Sequence, residues 1–335
     1  MTLPKPYAPL ILSAEAVAAE TRSLRDLLRW AVGRFNAAGL FHGHGVDTAW
    51  DEAVFLMLEA LALPVDQLEP YLDARLTEAE RRRLAALVEA RIETRKPSVY
   101  LVNKTYLQGV PFYVDERVIV PRSYISEILF SGVEGLWPDP SGVASVLDLC
   151  AGSGCLAVLA AQVFPLAEIH AVELSPEAAE VARINIADHG LEDRVTLHVG
   201  DLFAPLEGRR FDLILTNPPY VDAEGMGWLS PEHRHEPEMA LAAGEDGMSV
   251  VRRILAGGLE HLTPQGGMLA EVGRLRPAVE AEAPELPLLW IDTEQSRGET
   301  FWITAETWAA ASPEASGRKA AAAGKPRRTR KPPMT

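Results

Sequence analysis

The sequence predicts an α/β protein, with a mostly parallel sheet of seven strands carrying helices on both faces and a helical domain in front of it. Three observations carry that prediction. From about residue 142 onward, short runs of Val, Ile, Leu and Ala alternate with segments of helical period, the pattern of a parallel sheet built from crossover units. The first of those runs enters Gly152-x-Gly154-x-x-Ala157 and then a helix. Before residue 96 the apolar residues recur every three or four positions, as on one face of a helix.

The helical part comes first, over residues 1–96. Leu24, Leu27, Leu28, Ala31, Val32 and Phe35 form one apolar stripe. Asp47-Thr48 caps a second helix through Leu61, which Pro64 stops, and Thr77-Glu78-Ala79-Glu80 opens a third with Leu84, Leu87, Val88 and Ile92. His42 and His44 lie in a Gly-rich connector with no further ligand nearby in the sequence, so they read as loop residues and no metal site is expected. Residues 97–120 change to a β pattern. Val99 to Val102, Lys104 to Leu107 and Phe112 to Val114 alternate around Gly109 and Pro111, which suggests a hairpin linker.

The αβ part spans residues 121–308. Its expected strands are Ser145 to Leu149, Ile169 to Glu173, Val195 to Val199, Phe211 to Leu215 and Gly267 to Val272, closed by an antiparallel pair at Leu288 to Ile291 and Thr300 to Ile303. Helices are expected over Cys155 to Phe164, Pro176 to His189 and Ser249 to Leu262. From Ala309 the chain is Ala, Pro, Gly, Lys and Arg, a composition that cannot bury a core and reads as a disordered basic tail with a possible weak RNA contact.

Charge and cysteine content narrow the classes. The last 24 residues hold seven Lys/Arg and one Glu, so the body stands at −21 where the whole chain stands at −15. An acidic body argues against a broad nucleic-acid surface and suits a basic protein partner. The two cysteines, Cys150 and Cys155, are too few for a disulfide framework or a Cys-based zinc site, and a reduced, cytoplasmic setting is expected. The N-terminus lacks a basic stretch followed by a long apolar run. No apolar run approaches the ~20 residues that span a membrane.

Polar groups gather at the predicted strand ends. The loop Cys150-Ala151-Gly152-Ser153-Gly154 is a nucleotide-cofactor loop, its glycines allowing a tight turn and close ligand approach. Glu173 ends the next strand, the usual place of a carboxylate that grips two ribose hydroxyls. By themselves these features fit a dehydrogenase too. Asp148, four residues before Gly152, is instead placed to face a cationic ligand portion. Asp201, followed by Leu202, ends the third strand and suits an adenine amino group. The fourth strand runs into Thr216-Asn217-Pro218-Pro219-Tyr220. Asn217 is biased to an extended conformation by the proline after it, and the prolines leave carbonyls free beside its amide. Tyr220 adds a flat face, so the corner suits a planar NH2 group. It also reads as a plain proline turn, but four polar strand ends at one sheet edge weigh against that. A donor with adenosine, sulfonium and amino-acid parts and no phosphate fits the set: S-adenosyl-L-methionine. The lysine of a phosphate-binding loop is absent.

Asp148-x-x-x-Gly152-x-Gly154, Glu173, Asp201 and Asn217-Pro218-Pro219-Tyr220 together resemble a class I S-adenosylmethionine-dependent methyltransferase acting on a planar nitrogen. Adenine-amino DNA methyltransferases and protein N(5)-glutamine methyltransferases share that corner. Val120-Pro121-Arg122-Ser123, Arg234-His235-Glu236-Pro237, Gly244-x-Asp246-Gly247 and Glu271-Val272-Gly273 are similar to the second family, over roughly residues 20 to 305. The Pro-Arg-Ser form resembles the branch that methylates a glutamine of large-subunit ribosomal protein three, whereas the release-factor branch has Pro-Arg-Pro. Tyr124 departs from the proline of the pattern. The resemblance implies a Rossmann-like catalytic domain and an N-terminal domain that recognises substrate. It implies donor contacts from Asp148, Ala151, Gly152, Ser153, Gly154, Glu173, Asp201, Leu202 and Asn217. It assigns catalysis to Asn217, Pro218, Pro219 and Tyr220, and acceptor contacts to Arg122, Asn217, Pro218, Tyr220, Glu236 and Pro237. No dedicated base is expected. Val221 to Gly247 is expected to form a lid, with His233 and His235 as structural or substrate-contact residues.

Overall fold

The computed structural model of the chain describes residues 12–131, 136–137 and 140–311. Its first layer is helical: α1 (Ala14–Glu20), α2 (Leu24–Ala38), α3 (Ala49–Ala60) and α4 (Glu78–Thr94). Ser23 and Thr77 build reciprocal capping boxes with Asp26 and Glu80, satisfying backbone N–H groups that the first helical turn leaves unpaired. Leu27, Leu28, Phe35, Leu56 and Val88 meet in a core of their own.

Val99 to Val102 is not a strand. Ser98–Val102 is helix α5, followed by a short hairpin of β1 (Thr105–Leu107) and β2 (Val110–Phe112). The β-branched and aromatic composition of this stretch favours a strand locally, but tertiary contacts override it. Pro97 starts the turn, Asn103 ends it in the left-handed region at φ 53°, and Val99 and Tyr100 pack with Val114, Val118, Val120 and Val181.

Next come α6 (Ile125–Ser131), β3 (Ser145–Leu149), α7 (Cys155–Val163), β4 (Glu168–Glu173), α8 (Pro176–Asp188), β5 (Val195–Val199) and β6 (Phe211–Thr216). The chain continues through α9 (Ala223–Trp228), α10 (Ser249–Gly257), β7 (Leu262–Glu271), α11 (Arg276–Glu282), β8 (Leu289–Asp292), β9 (Arg297–Thr304) and α12 (Ala305–Ala311). The helix expected to run to Leu262 stops at Gly257, because the turn after it is 3-10 and β7 begins at Leu262 itself. Ala309 to Ala311 belong to α12, whose Trp308 is buried against β7 and β9; the rest of the expected basic tail lies outside the described residues.

The sheet order is β5-β4-β3-β6-β7-β9-β8, parallel from β5 to β7 and antiparallel at β9 and β8. Alternate residues of each strand face opposite layers. Val146 packs toward α7, while Leu147 and Leu149 pack on the other side with Val251 and Ile254 of α10. After β3 the chain winds outward to β4 and β5, then returns to place β6 on the other flank of β3. The strand order therefore reverses between β3 and β6, where an open α/β sheet forms its ligand crevice. Leu149 and Thr216 are register partners there, and the Thr216 hydroxyl donates to the Leu149 carbonyl at 2.9 Å.

Candidate active site

Two cavities meet at the carboxyl ends of these strands. The larger, about 260 Å³, is walled by Gly152, Glu173, Asp201, Leu202 and Asn217. The smaller, about 110 Å³, is walled by Arg122, Asn217, Pro218, Tyr220, His233 and Glu271. Asn217, Ile119 and Ala240 belong to both. A residue that leaves the sheet at the switch point thus forms the partition between two chambers.

The larger cavity is shaped by backbone geometry. Gly152 and Gly154 have φ of +55° and +74°, which only glycine adopts without strain. A Cβ on Gly154 would stand 3.1 Å from the Ala182 Cβ of α8, so the loop also needs glycine for close helix packing. Glu173 anchors the loop, accepting from the Gly152 N–H at 2.7 Å and from the Ser175 N–H at 2.7 Å. Asp148, Ala151, Ser153 and Gly154 do not line the cavity and form the layer beneath it. Asp148 is buried, and one oxygen accepts the Ala157 N–H at 2.9 Å while the other has no partner. Burial pushes its carboxyl up to about 7. A buried, half-satisfied carboxyl under a glycine loop fits a ligand with cationic groups, as the donor expected from sequence has. Asp201 lines the cavity but pairs with Arg253 at 2.7 Å, so an incoming amino group meets an ion pair rather than a free carboxylate. Cys150 also lines it, at φ +64°, and was not singled out by sequence; burial raises its thiol pKa and keeps it protonated.

In the smaller cavity, Arg122, Asn217, Pro218 and Tyr220 come together as expected. Glu236 does not reach it. Its buried carboxylate lies behind Arg122, accepting from Nη1 at 2.5 Å, from Nη2 at 2.9 Å and from the Val120 N–H at 3.0 Å. Burial opposes its ionisation, but His44 and Arg122 outweigh that and hold the carboxyl down to about 2. Pro237 lines the larger cavity instead, because the chain turns away after Glu236. Tyr220 lies against Gly273, whose φ is +53° and whose Cβ would stand 2.7 Å from the Tyr220 ring. Glu271 is buried and accepts from the Ser123 hydroxyl at 2.6 Å and the Tyr124 N–H at 2.9 Å, and burial pushes its carboxyl up to about 7.

His44 is not a loop bystander. It is buried, its ring lies 4.5 Å from that of His233, and Nε2 is 3.6 Å from Glu236. The three residues offer ligand atoms within 4.8 Å of one another, but the Glu236 carboxylate is already engaged by Arg122 and Val120. His235 points away and donates to the Thr94 carbonyl at 2.8 Å.

A switch-point crevice with a glycine loop, acidic strand ends and an Asn-Pro-Pro-Tyr corner defines a class I methyltransferase, a class that uses S-adenosyl-L-methionine. Residues 133–228 match the methyltransferase small domain family. Over 85% of the chain and 92% of its relative, it is 56% identical to the ribosomal protein uL3 glutamine methyltransferase of Bradyrhizobium diazoefficiens. Proteins of the same description from Bordetella pertussis and Neisseria gonorrhoeae are 48% and 50% identical, each over 86% of this chain and 96% of its own length. The chain belongs to the ribosomal protein uL3 glutamine methyltransferase family.

Proposed function

We propose that the chain methylates the side-chain amide nitrogen, N(5), of one glutamine in ribosomal protein uL3, using S-adenosyl-L-methionine in the cytoplasm. The observation that carries this reading is the position of Asn217, which walls both cavities, where one side chain can face donor and acceptor together. The relatives' shared description favours the uL3 acceptor over a release factor.

The donor, when bound above the Gly152 loop, supplies an electrophilic methyl group on a cationic sulfur. The chain's own residues have to present a poor nucleophile to it, because an amide lone pair is delocalised into its carbonyl. The Asn217 side-chain oxygen and the Pro218 carbonyl each accept one amide N–H. That fixes the nitrogen at the partition between the chambers, a gain in orientation that needs no chemical activation. The same two acceptors stabilise the positive charge that grows on nitrogen. Tyr220 packs on the amide plane, and Arg122, locked by Glu236, borders the pocket. The S–CH3 bond breaks as the N–CH3 bond forms, leaving neutral S-adenosylhomocysteine, and the cationic nitrogen then releases one proton to solvent.

Mass spectrometry of ribosomal proteins from cells with and without the gene tests the reading. The expected result is a loss of 14 daltons from a single uL3 glutamine in the deleted strain. Unchanged uL3 with a change on another protein would overturn the choice of acceptor.

A further inference from the structure

The segment that walls the acceptor cavity is tied to the N-terminal helices through buried charge. Its 3-10 turn, Pro231–His235, carries Glu232, which is fully buried although it lies in a polar surface-type sequence. Glu232 Oε1 accepts the Phe41 N–H at 3.1 Å and lies 3.3 Å from Arg95 Nε and 3.5 Å from Arg91 Nη1. Arg91 is buried in turn. It donates to the Phe41 carbonyl at 3.0 Å and to Glu52 at 2.6 Å. Two carboxylates thus face two guanidiniums, Arg91 buried and Arg95 at the partly exposed edge, with His42 also 2.6 Å from Glu52, in a setting where an unpaired ion is costly. Leu229 and His233, on either side of Glu232, line the acceptor cavity, and Glu236, set behind it, holds Arg122.

We propose that Glu232 is a positioning residue for the methyl acceptor: through Arg91 and Arg95 it fixes the 221–243 segment on the N-terminal helices, so that those helices set the shape of the glutamine pocket. The inference rests on the proposed acceptor reading for its kinetic arm only. The Coulomb attraction is strong inside this low-dielectric cluster, and the Phe41 N–H bond to Glu232 gives it a fixed direction. It therefore selects one placement of Leu229, His233 and Glu236 rather than a family of them.

Two variants of the full chain test it, Glu232→Gln and the charge-balanced Glu232→Gln/Arg95→Met. In the first, KM for uL3 should rise tenfold or more, while the dissociation constant for S-adenosylhomocysteine changes less than twofold. Amide hydrogen exchange across residues 221–243 should speed up at least fivefold, with β3 and β6 unchanged. The balanced variant should regain melting temperature but not acceptor KM. A KM that returns to the wild-type value in the balanced variant would make Glu232 a mere charge balancer and overturn the proposal. So would exchange across 221–243 that matches wild type in both variants. If wild-type protein leaves uL3 unmethylated, the acceptor reading fails, and the exchange measurement still decides the role of Glu232.

Discussion

Asn217 offers a side-chain oxygen and an NH2 group at the partition between the two cavities. Asn217→Asp keeps an acceptor and adds a negative charge, which disturbs the placement of a neutral amide beside it. A fall in kcat of ~100-fold is expected, in line with the loss of one preorganised polar group at a reacting centre; a fully active variant would exclude the amide clamp. Gly273→Ala has a different origin. It forces a side chain onto a φ of +53° and into the Tyr220 ring. Misplacement of a positioning group by ~1 Å costs up to ~100-fold, so kcat/KM for the acceptor should fall at least tenfold while calorimetry finds S-adenosylhomocysteine binding retained. At this scale the sequence was legible where chemistry is local. Asn217, Pro218, Tyr220, Gly152 and Glu173 sit on strand ends whose period is plain. Glu236 and Pro237 were misplaced by one layer, since a 3-10 turn reverses the chain around them and no period marks that reversal. Arg91 and Glu52 did leave a trace: each interrupts the apolar stripe of its helix, with opposite sign, which is how a buried pair reads in sequence.

The helical elements depend on their caps. The Thr77 side chain accepts the Glu80 N–H, and Glu80 returns a bond to Thr77, at the start of a helix of 17 residues that also carries Arg91. Thr77→Ala should lower stability by ~1 kcal/mol, measured by urea unfolding, without changing methyl transfer at saturating substrate. Such caps were readable because they are contiguous in sequence. The Ser98–Val102 helix was not, because its stabilising partners are Glu52, Val118 and Val181, all distant in the chain. Asn185 behaves likewise. It is fully buried in α8 and bonds Tyr113 and the Ser153 carbonyl, joining the linker to the glycine loop. An amide in mid-helix was its one local sign.

For the molecule as a whole, two sets of buried carboxyls pull stability in opposite directions with pH. Asp148 and Glu271 have pKa values raised to about 7, above their unfolded values. Their contribution is complete below about pH 4 and is lost as pH rises through 7. Glu52 and Glu236 are depressed to about 2, so their contribution holds above about pH 4.5 and is lost as pH falls toward 2. The ligand-free protein should therefore melt highest at roughly pH 4 to 4.5, where the two windows meet, and lose stability steadily from there to about pH 7. Asp148→Asn should raise its melting temperature at pH 8, because no charge then has to form beneath the glycine loop, and should weaken donor binding. Calorimetric scans from pH 3 to 9, with and without S-adenosylhomocysteine, check both statements.

The partition formed by Asn217 has a stereochemical consequence. In the proposed reading donor and acceptor lie in opposite chambers, and Cys150, the thiol lining the donor side, is buried with its pKa raised. Direct transfer from donor to acceptor changes the carbon's partners once, by backside displacement. A donor whose methyl carries hydrogen, deuterium and tritium in one handedness should yield product of the opposite handedness, whereas a two-step relay through sulfur would return the original one.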